Sequence, residues 1–252
     1  MKQVTLLALL NLIHFSVFAD DAETFGNRLE IGIGSVLQNS VYTDEEPSAL
    51  VFPMFVAKYK NLYVKGGKAG FIFYGLKKSN TVFWTEVIAN ARLQGITSAS
   101  GSLEGLTDRK NTLDMGLEAS IASDDWGMIN FSMVHDVLNV HQGYELAIKY
   151  QYPMSNGPWF LMPSIGIHYM NQDLADYYFG VDINEVKLNR SQYTVNEAIN
   201  LSAGYELQYR FNEKWSILNT LNLMKLDRKI TDSPIVSNNL DIIGIVGLVY
   251  SF

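Results

Sequence analysis

Three histidines lie beyond the first 19 residues, at 135, 141 and 168, and there is no cysteine, so a thiol nucleophile is excluded. Ser164 and His168 share one face of a period-two segment, the arrangement of a nucleophile and its base. Four residues of strand span roughly 13 Å, too far for a direct hydrogen bond. A hydrolytic triad would need its serine from a neighbouring strand; otherwise His168 belongs to a polar network. His135, Asp136 and His141 match no standard metal-ligand spacing. The acidic clusters Asp44-Glu45-Glu46 and Asp124-Asp125 offer oxygen ligands for a hard cation, or simply solvated loop charge. Gly32/Gly34 and Gly66-Gly67 precede no helix and cannot form a phosphate loop. No catalytic, cofactor-binding or metal set is legible, and the expectation is a protein that is not an enzyme and carries no cofactor.

The elements that hold these residues are strands. Leu29, Ile31 and Ile33 alternate with Glu30, Gly32 and Gly34. The same alternation runs through Leu113–Ile121, Tyr144–Tyr152, Trp159–Tyr169 and Ile199–Phe211. Further strands fit Ala49–Tyr59, Asn61–Lys65, Ala69–Leu76, Thr81–Arg92, Trp126–Val134, Lys214–Leu226 and Leu240–Phe252. Ordinary strands run about 5–6 residues, whereas a membrane-crossing strand needs about 9–11. Aromatics such as Tyr144, Tyr152, Trp159, Tyr209 and Phe211 cluster at the ends of the apolar faces, as in interfacial girdles. The opposite faces mix glycine with Glu30, Asp114, Glu118, Glu145, Lys149, Glu206 and Arg210, which suits a wet lumen. The pattern therefore predicts an all-β, antiparallel, up-and-down transmembrane β-barrel of twelve strands. Asn61–Leu76 is the open point: it reads as a short hairpin turning at Gly66-Gly67 or as one strand with a glycine bulge, and ten strands is the alternative to twelve.

The termini agree. Lys2, the apolar run Val4–Phe18 and Ala19 form a signal peptide over residues 1–19, leaving 20–252 as one barrel domain. The apolar run is shorter than the ~20 residues of a spanning helix. Loss of Lys2 leaves 18 basic against 26 acidic residues, a formal charge of −8, which argues against a nucleic-acid partner. At the other end Val246, Leu248, Tyr250 and the terminal Phe252 share one face. This is similar to the C-terminal signal read by the barrel assembly machinery, and it places the chain among outer-membrane lipids of a Gram-negative bacterium. Tight turns fit Ser123–Asp125, Pro153–Pro158 and Asn212-Glu213. Longer connections fit Asn39–Ser48, Gln94–Asn111, Gln172–Asn196 and Asp227–Asn239. The aromatic content of Gln172–Asn196 predicts that it folds back onto or into the barrel.

Residues scattered along the chain resemble the MipA/OmpV family of MltA-interacting outer-membrane proteins. They are Gly105-Leu106, Asp108-Arg109, His135-Asp136-Val137, Pro163 with Gly166 and Tyr169, Tyr177-Tyr178-Phe179-Gly180-Val181, Tyr193 and Ser233-Pro234, together with Tyr250-Ser251-Phe252. The resemblance covers essentially the whole chain after residue 19. It implies a scaffold joining a periplasmic lytic transglycosylase to a penicillin-binding protein in peptidoglycan biosynthesis. The family has no agreed catalytic residues to carry over. Other readings are a small-solute pore, an adhesin or surface antigen, and a barrel hydrolase acting on lipid.

Overall fold

In the computed structural model, residues 27–96 and 103–252 are described; the expected signal peptide lies outside them. Thirteen strands form one antiparallel sheet that closes on itself. They are β1 (Arg28–Gln38), β2 (Ser48–Tyr59), β3 (Leu62–Lys65), β4 (Lys68–Lys78), β5 (Thr81–Arg92), β6 (Thr112–Ser123) and β7 (Gly127–Asp136). They continue as β8 (Tyr144–Gln151), β9 (Met154–Asn156), β10 (Trp159–Met170), β11 (Ala198–Arg210), β12 (Trp215–Lys225) and β13 (Leu240–Ser251). The last strand pairs with the first, from Glu30↔Ser251 to Gln38↔Ile243.

β8 and β9 both pair with β10 and make one interrupted stave, so the barrel has twelve. The interruption falls at Tyr152 and Pro153, opposite Pro163 of β10, whose carbonyl accepts from Tyr152 N–H at 3.1 Å. Proline has no N–H to give the ladder, and a break in the neighbouring strand removes the need for one. Half of the expected loop Pro153–Pro158 is thus strand, because Met154–Asn156 keep their pairing to β10, and the turn itself is Gly157-Pro158. Gly66 and Gly67 do form a hairpin turn between β3 and β4.

That hairpin leaves an opening in the ladder. β3 pairs only with the lower end of β2, from Val56↔Lys65 to Tyr59↔Leu62. Above it, residues 48–54 of β2 have no strand partner on the edge away from β1 among the described residues. Phe55 turns its carbonyl to that edge and accepts from Gly66 N–H at 3.1 Å. Pro53, two residues along, faces the same edge and has no N–H to leave unpaired.

The faces alternate as the sequence predicts. Ile33, Leu117, Phe131, Ile165 and Leu201 stand exposed on the outside. On the terminal strand Val246 and Leu248 face outward, while Ile245 and Val249 are buried inward. Glu30, Asp114 and Glu206 are buried in the lumen. Arg210 continues the inward row of Glu206 and Gln208, pairs with the buried Ser216 and stands exposed at the end of β11. One lumen wall, from β12 through β13 and β1 to β2, is apolar: Val36, Phe52, Met54, Leu218, Ile243 and Ile245 pack together. Met54 lies over Gly34 and Gly247, its sulfur 2.7 Å from where a Gly34 Cβ would stand. A side chain at Gly247 would displace it. Gly247→Val should cost about 1–3 kcal/mol by overpacking, read as a lower urea midpoint in lipid vesicles, with part of the loss recovered by Met54→Ala. An unchanged midpoint would show that this wall is loosely packed.

Candidate functional site

All four long connections open at the same end of the barrel, and they condense into a cap with its own core. Tyr42 comes from the β1–β2 connection, Ile96 and Leu106 from β5–β6, Tyr178 and Val181 from β10–β11, and Ile230 and Ile235 from β12–β13. Helix α1 (Gln172–Phe179) is the centre. Asn171 caps it, accepting from Leu174 N–H at 3.3 Å and from Tyr144 N–H at 2.8 Å, which ties the helix start to the top of β8. Its buried face is Leu174, Ala175, Tyr178 and Phe179, the i, i+1, i+4, i+5 stripe of an amphipathic helix.

Tyr178 is fully buried and joins three connections. Its hydroxyl donates to Lys110 O at 3.1 Å, and its carbonyl accepts from Tyr42 OH at 3.2 Å. Beside it Ser233 Oγ donates to Phe179 O at 2.6 Å. Val181 bridges to Tyr193. Residues 183–185 form a 3-10 turn closed by a capping box between Asp182 and Glu185. Arg109 clamps Glu185 with two 2.9 Å hydrogen bonds and also reaches Gly180 O at 3.1 Å. Burial by itself raises the Glu185 carboxyl, but the Arg109 hydrogen bonds and the N–H groups of Asp182 and Thr107 outweigh it and hold the pKa at about 2.

The residues that carry the family resemblance mostly share a place that their spacing did not reveal. Leu106, Arg109, Tyr177, Tyr178, Gly180, Val181 and Ser233 all build the cap, and Gly105 and Asp108 lie in the same connection as Arg109. Pro163 stands apart, at the β8–β9 break. The aromatic connection does fold back over the mouth, as its composition predicts.

Beneath the cap is a charged network. Arg92 binds Asp114 at 2.6 Å and Glu145 at 2.8 Å. Asp114, Asp136 and His141 bring one ligand atom each within 4.8 Å of one another. Their acceptors are already used. Asp114 holds Arg92 and His141, and Asp136 takes Thr112 Oγ1 and the N–H groups of Leu138, Val140, His141 and Gln142. This is a loop clamp that folds residues 137–143 onto β7. His135 faces outward, away from the cluster. Ser164 does not meet His168. Instead His168 lies 3.0 Å from Glu145 Oε1 and 3.0 Å from Ser202 Oγ, a serine supplied by the neighbouring strand β11. Only cross-strand register could have found that pair.

The chain matches the family of MltA-interacting protein MipA over residues 31–252. It belongs to the MipA family. Outer membrane protein Omp26La of Vibrio anguillarum is 35% identical over 140 residues, 56% of this chain and 54% of that protein. The alignment thus spans about half the length of that relative. The MltA-interacting protein of Escherichia coli K12 is 25% identical over 258 residues, covering 100% of both chains. Among solved structures, an outer-membrane channel of Pseudomonas putida F1 shares 10% identity with a TM-score of 0.42, over 93% of this chain and 100% of that one. The chain is an outer-membrane β-barrel, and short turns of such barrels face the periplasm, so the cap faces outward.

Two outcomes test the cap. Arg109→Met leaves Glu185 without its cation, and losing one member of a buried pair costs about 3–5 kcal/mol; limited proteolysis should then cut within residues 172–196 while the barrel survives. Because the folded pKa of Glu185 is depressed, its contribution is complete above the ordinary value of 4.5 and is lost as pH falls towards about 2. Pepsin cleavage of the cap should rise across that window. Equal resistance at both ends of it would refute the assigned role of the pair.

Proposed function

We propose that this MipA-family barrel is an outer-membrane scaffold that gathers murein enzymes, a lytic transglycosylase and a penicillin-binding protein, at its periplasmic turns. The observation that carries the reading is the capped mouth over a lumen narrowed by its own side chains. Glu206, Gln208, Ile88, Leu218 and Ile245 are each 3% exposed or less, which suits a platform better than a passage. The name of the full-length Escherichia coli relative supports a transglycosylase partner.

Contact would use the short-turn end. There the β4–β5 turn at Ser79 and Asn80 is tied to the β6–β7 turn by a hydrogen bond from Asn80 to Asp125. Lys77, Lys78, Asp124 and Asp125 give this surface both signs of charge. The residues Val246, Leu248, Tyr250 and Phe252 would serve assembly rather than partner binding. Residues 1–19 would direct export.

A pull-down from detergent extract should recover a murein hydrolase or synthase, and Asp124→Lys with Asp125→Lys should lower the recovery without altering the barrel. Recovery of neither enzyme class by the wild-type protein would contradict the scaffold reading. Deleting Phe252 should reduce the amount of folded barrel in the outer membrane; an unchanged amount would remove the assembly role.

A further inference from the structure

Glu145, His168 and Ser202 stand in the lumen on β8, β10 and β11. The carboxylate of Glu145 can only accept, so His168 Nδ1 carries the proton directed at it, at 3.0 Å. His168 Nε2 is then the acceptor for the Ser202 hydroxyl, also at 3.0 Å. Acid, base and nucleophile follow in the order of a serine hydrolase, recognised by geometry rather than by sequence position. Arg92 Nη2 holds the second Glu145 oxygen at 2.8 Å and fixes its orientation. His168 and Glu145 keep 18% and 19% of their side-chain surface exposed, unlike the sealed Asp114–His141 pair.

The space in front of the serine is also built. Gly166 pairs with Ser202 on one side and with Lys149 on the other, so the three form one cross-strand row. A Cβ at Gly166 would stand 2.7 Å from Ser202 Oγ and 3.3 Å from His168 Nε2. The glycine leaves that volume clear, and Lys149 places a cation in the same row, where an oxyanion would form. The cap closes the mouth above; lower in the wall, residues 48–54 of β2 lack a strand partner on one edge among the described residues. In a twelve-stave ring β10 and β11 stand six staves from β3 and β4, directly across the lumen from the gap beside residues 48–54. Leu50, Phe52 and Met54 place apolar side chains on that stretch, Phe52 and Met54 buried and Leu50 partly so. An unpaired strand edge at membrane depth is tolerated only where it lines protein or a cavity.

We propose that Ser202 is the nucleophile of an acyl-ester hydrolase site, and that its substrate is an ester-linked lipid whose chain enters from the bilayer through this gap. Ser202 Oγ attacks the ester carbonyl carbon and its proton passes to His168 Nε2. Lys149 faces the resulting oxyanion. The ester C–O bond breaks, and the alcohol leaves with the proton from His168. Water then attacks the acyl-serine with His168 again taking and returning a proton, releasing a fatty acid and restoring Ser202. Glu145 is a positioning residue. The inference is independent of the scaffold reading, since partner capture and this reaction can fail separately.

The test uses the full barrel in vesicles of a phospholipid with a fluorescent ester-linked chain, and diisopropyl fluorophosphate as the covalent probe. The expected result is one phosphoryl adduct mapped to Ser202, with fatty-acid release that the adduct abolishes. Lys149→Met should slow acylation on the order of 100-fold. Glu145→Gln should displace the pH profile of adduct formation, which a purely structural role would not do. Ser202→Ala should abolish both adduct and release; should that variant not fold, the adduct on the wild-type chain decides. A folded wild-type barrel without an adduct at Ser202 would overturn the nucleophile, and an adduct without fatty-acid release would overturn the lipid substrate.

Discussion

Everything in this molecule depends on the antiparallel pairing of β1 with β13. In hydrocarbon a backbone N–H or C=O without a partner costs several kcal/mol, so a sheet can cross a membrane only if its two edges meet. Here the edges meet over nine residue pairs, Glu30↔Ser251 to Gln38↔Ile243. Closure fixes which residues face lipid and which face the lumen. It also makes the unpaired edge of residues 48–54, among the described residues, a conspicuous exception. Pro53 lowers its cost, because the residue placed on the open edge has no donor to strand there.

Closure also divides the interior. The stretch from β12 to β2 carries glycine and apolar side chains inward, and Met54 bridges Gly34 and Gly247. The opposite staves carry Glu86, Lys149, Glu145 and Arg92. The polar half is held by ion pairs such as Lys68–Glu118 at 2.8 Å and by hydrogen bonds such as Tyr63 to Glu86 at 2.6 Å. Two-faced packing narrows the lumen without making it uniformly wet, and the cap completes the seal with a small apolar core of the kind found in soluble domains.

The period-two alternation made the strands legible, because a strand with one face in lipid must keep its apolar residues in step. Leu117 and Ile165 could be assigned to the outside on that ground alone. Three things were not legible. Pro153 looked like a turn residue, and only the pairing of Met154–Asn156 with β10 shows that the strand resumes. Ser202 could not be joined to His168, since register between strands leaves no mark in either strand's own sequence. The cap was foreshadowed by Tyr177, Tyr178 and Phe179, yet the partnership of Arg109 with Glu185 spans 76 residues and two connections. Such contacts come from topology rather than from local spacing.

The mouth of the barrel is sealed by a cap anchored on Tyr178 and Arg109. Planar-bilayer recording of the purified protein tests it most directly. A sealed mouth should give no steady ionic conductance from the intact chain, and a measurable conductance once residues 172–196 are replaced by a short glycine–serine linker. A stable ohmic conductance from the intact chain, unchanged by that replacement, would contradict it.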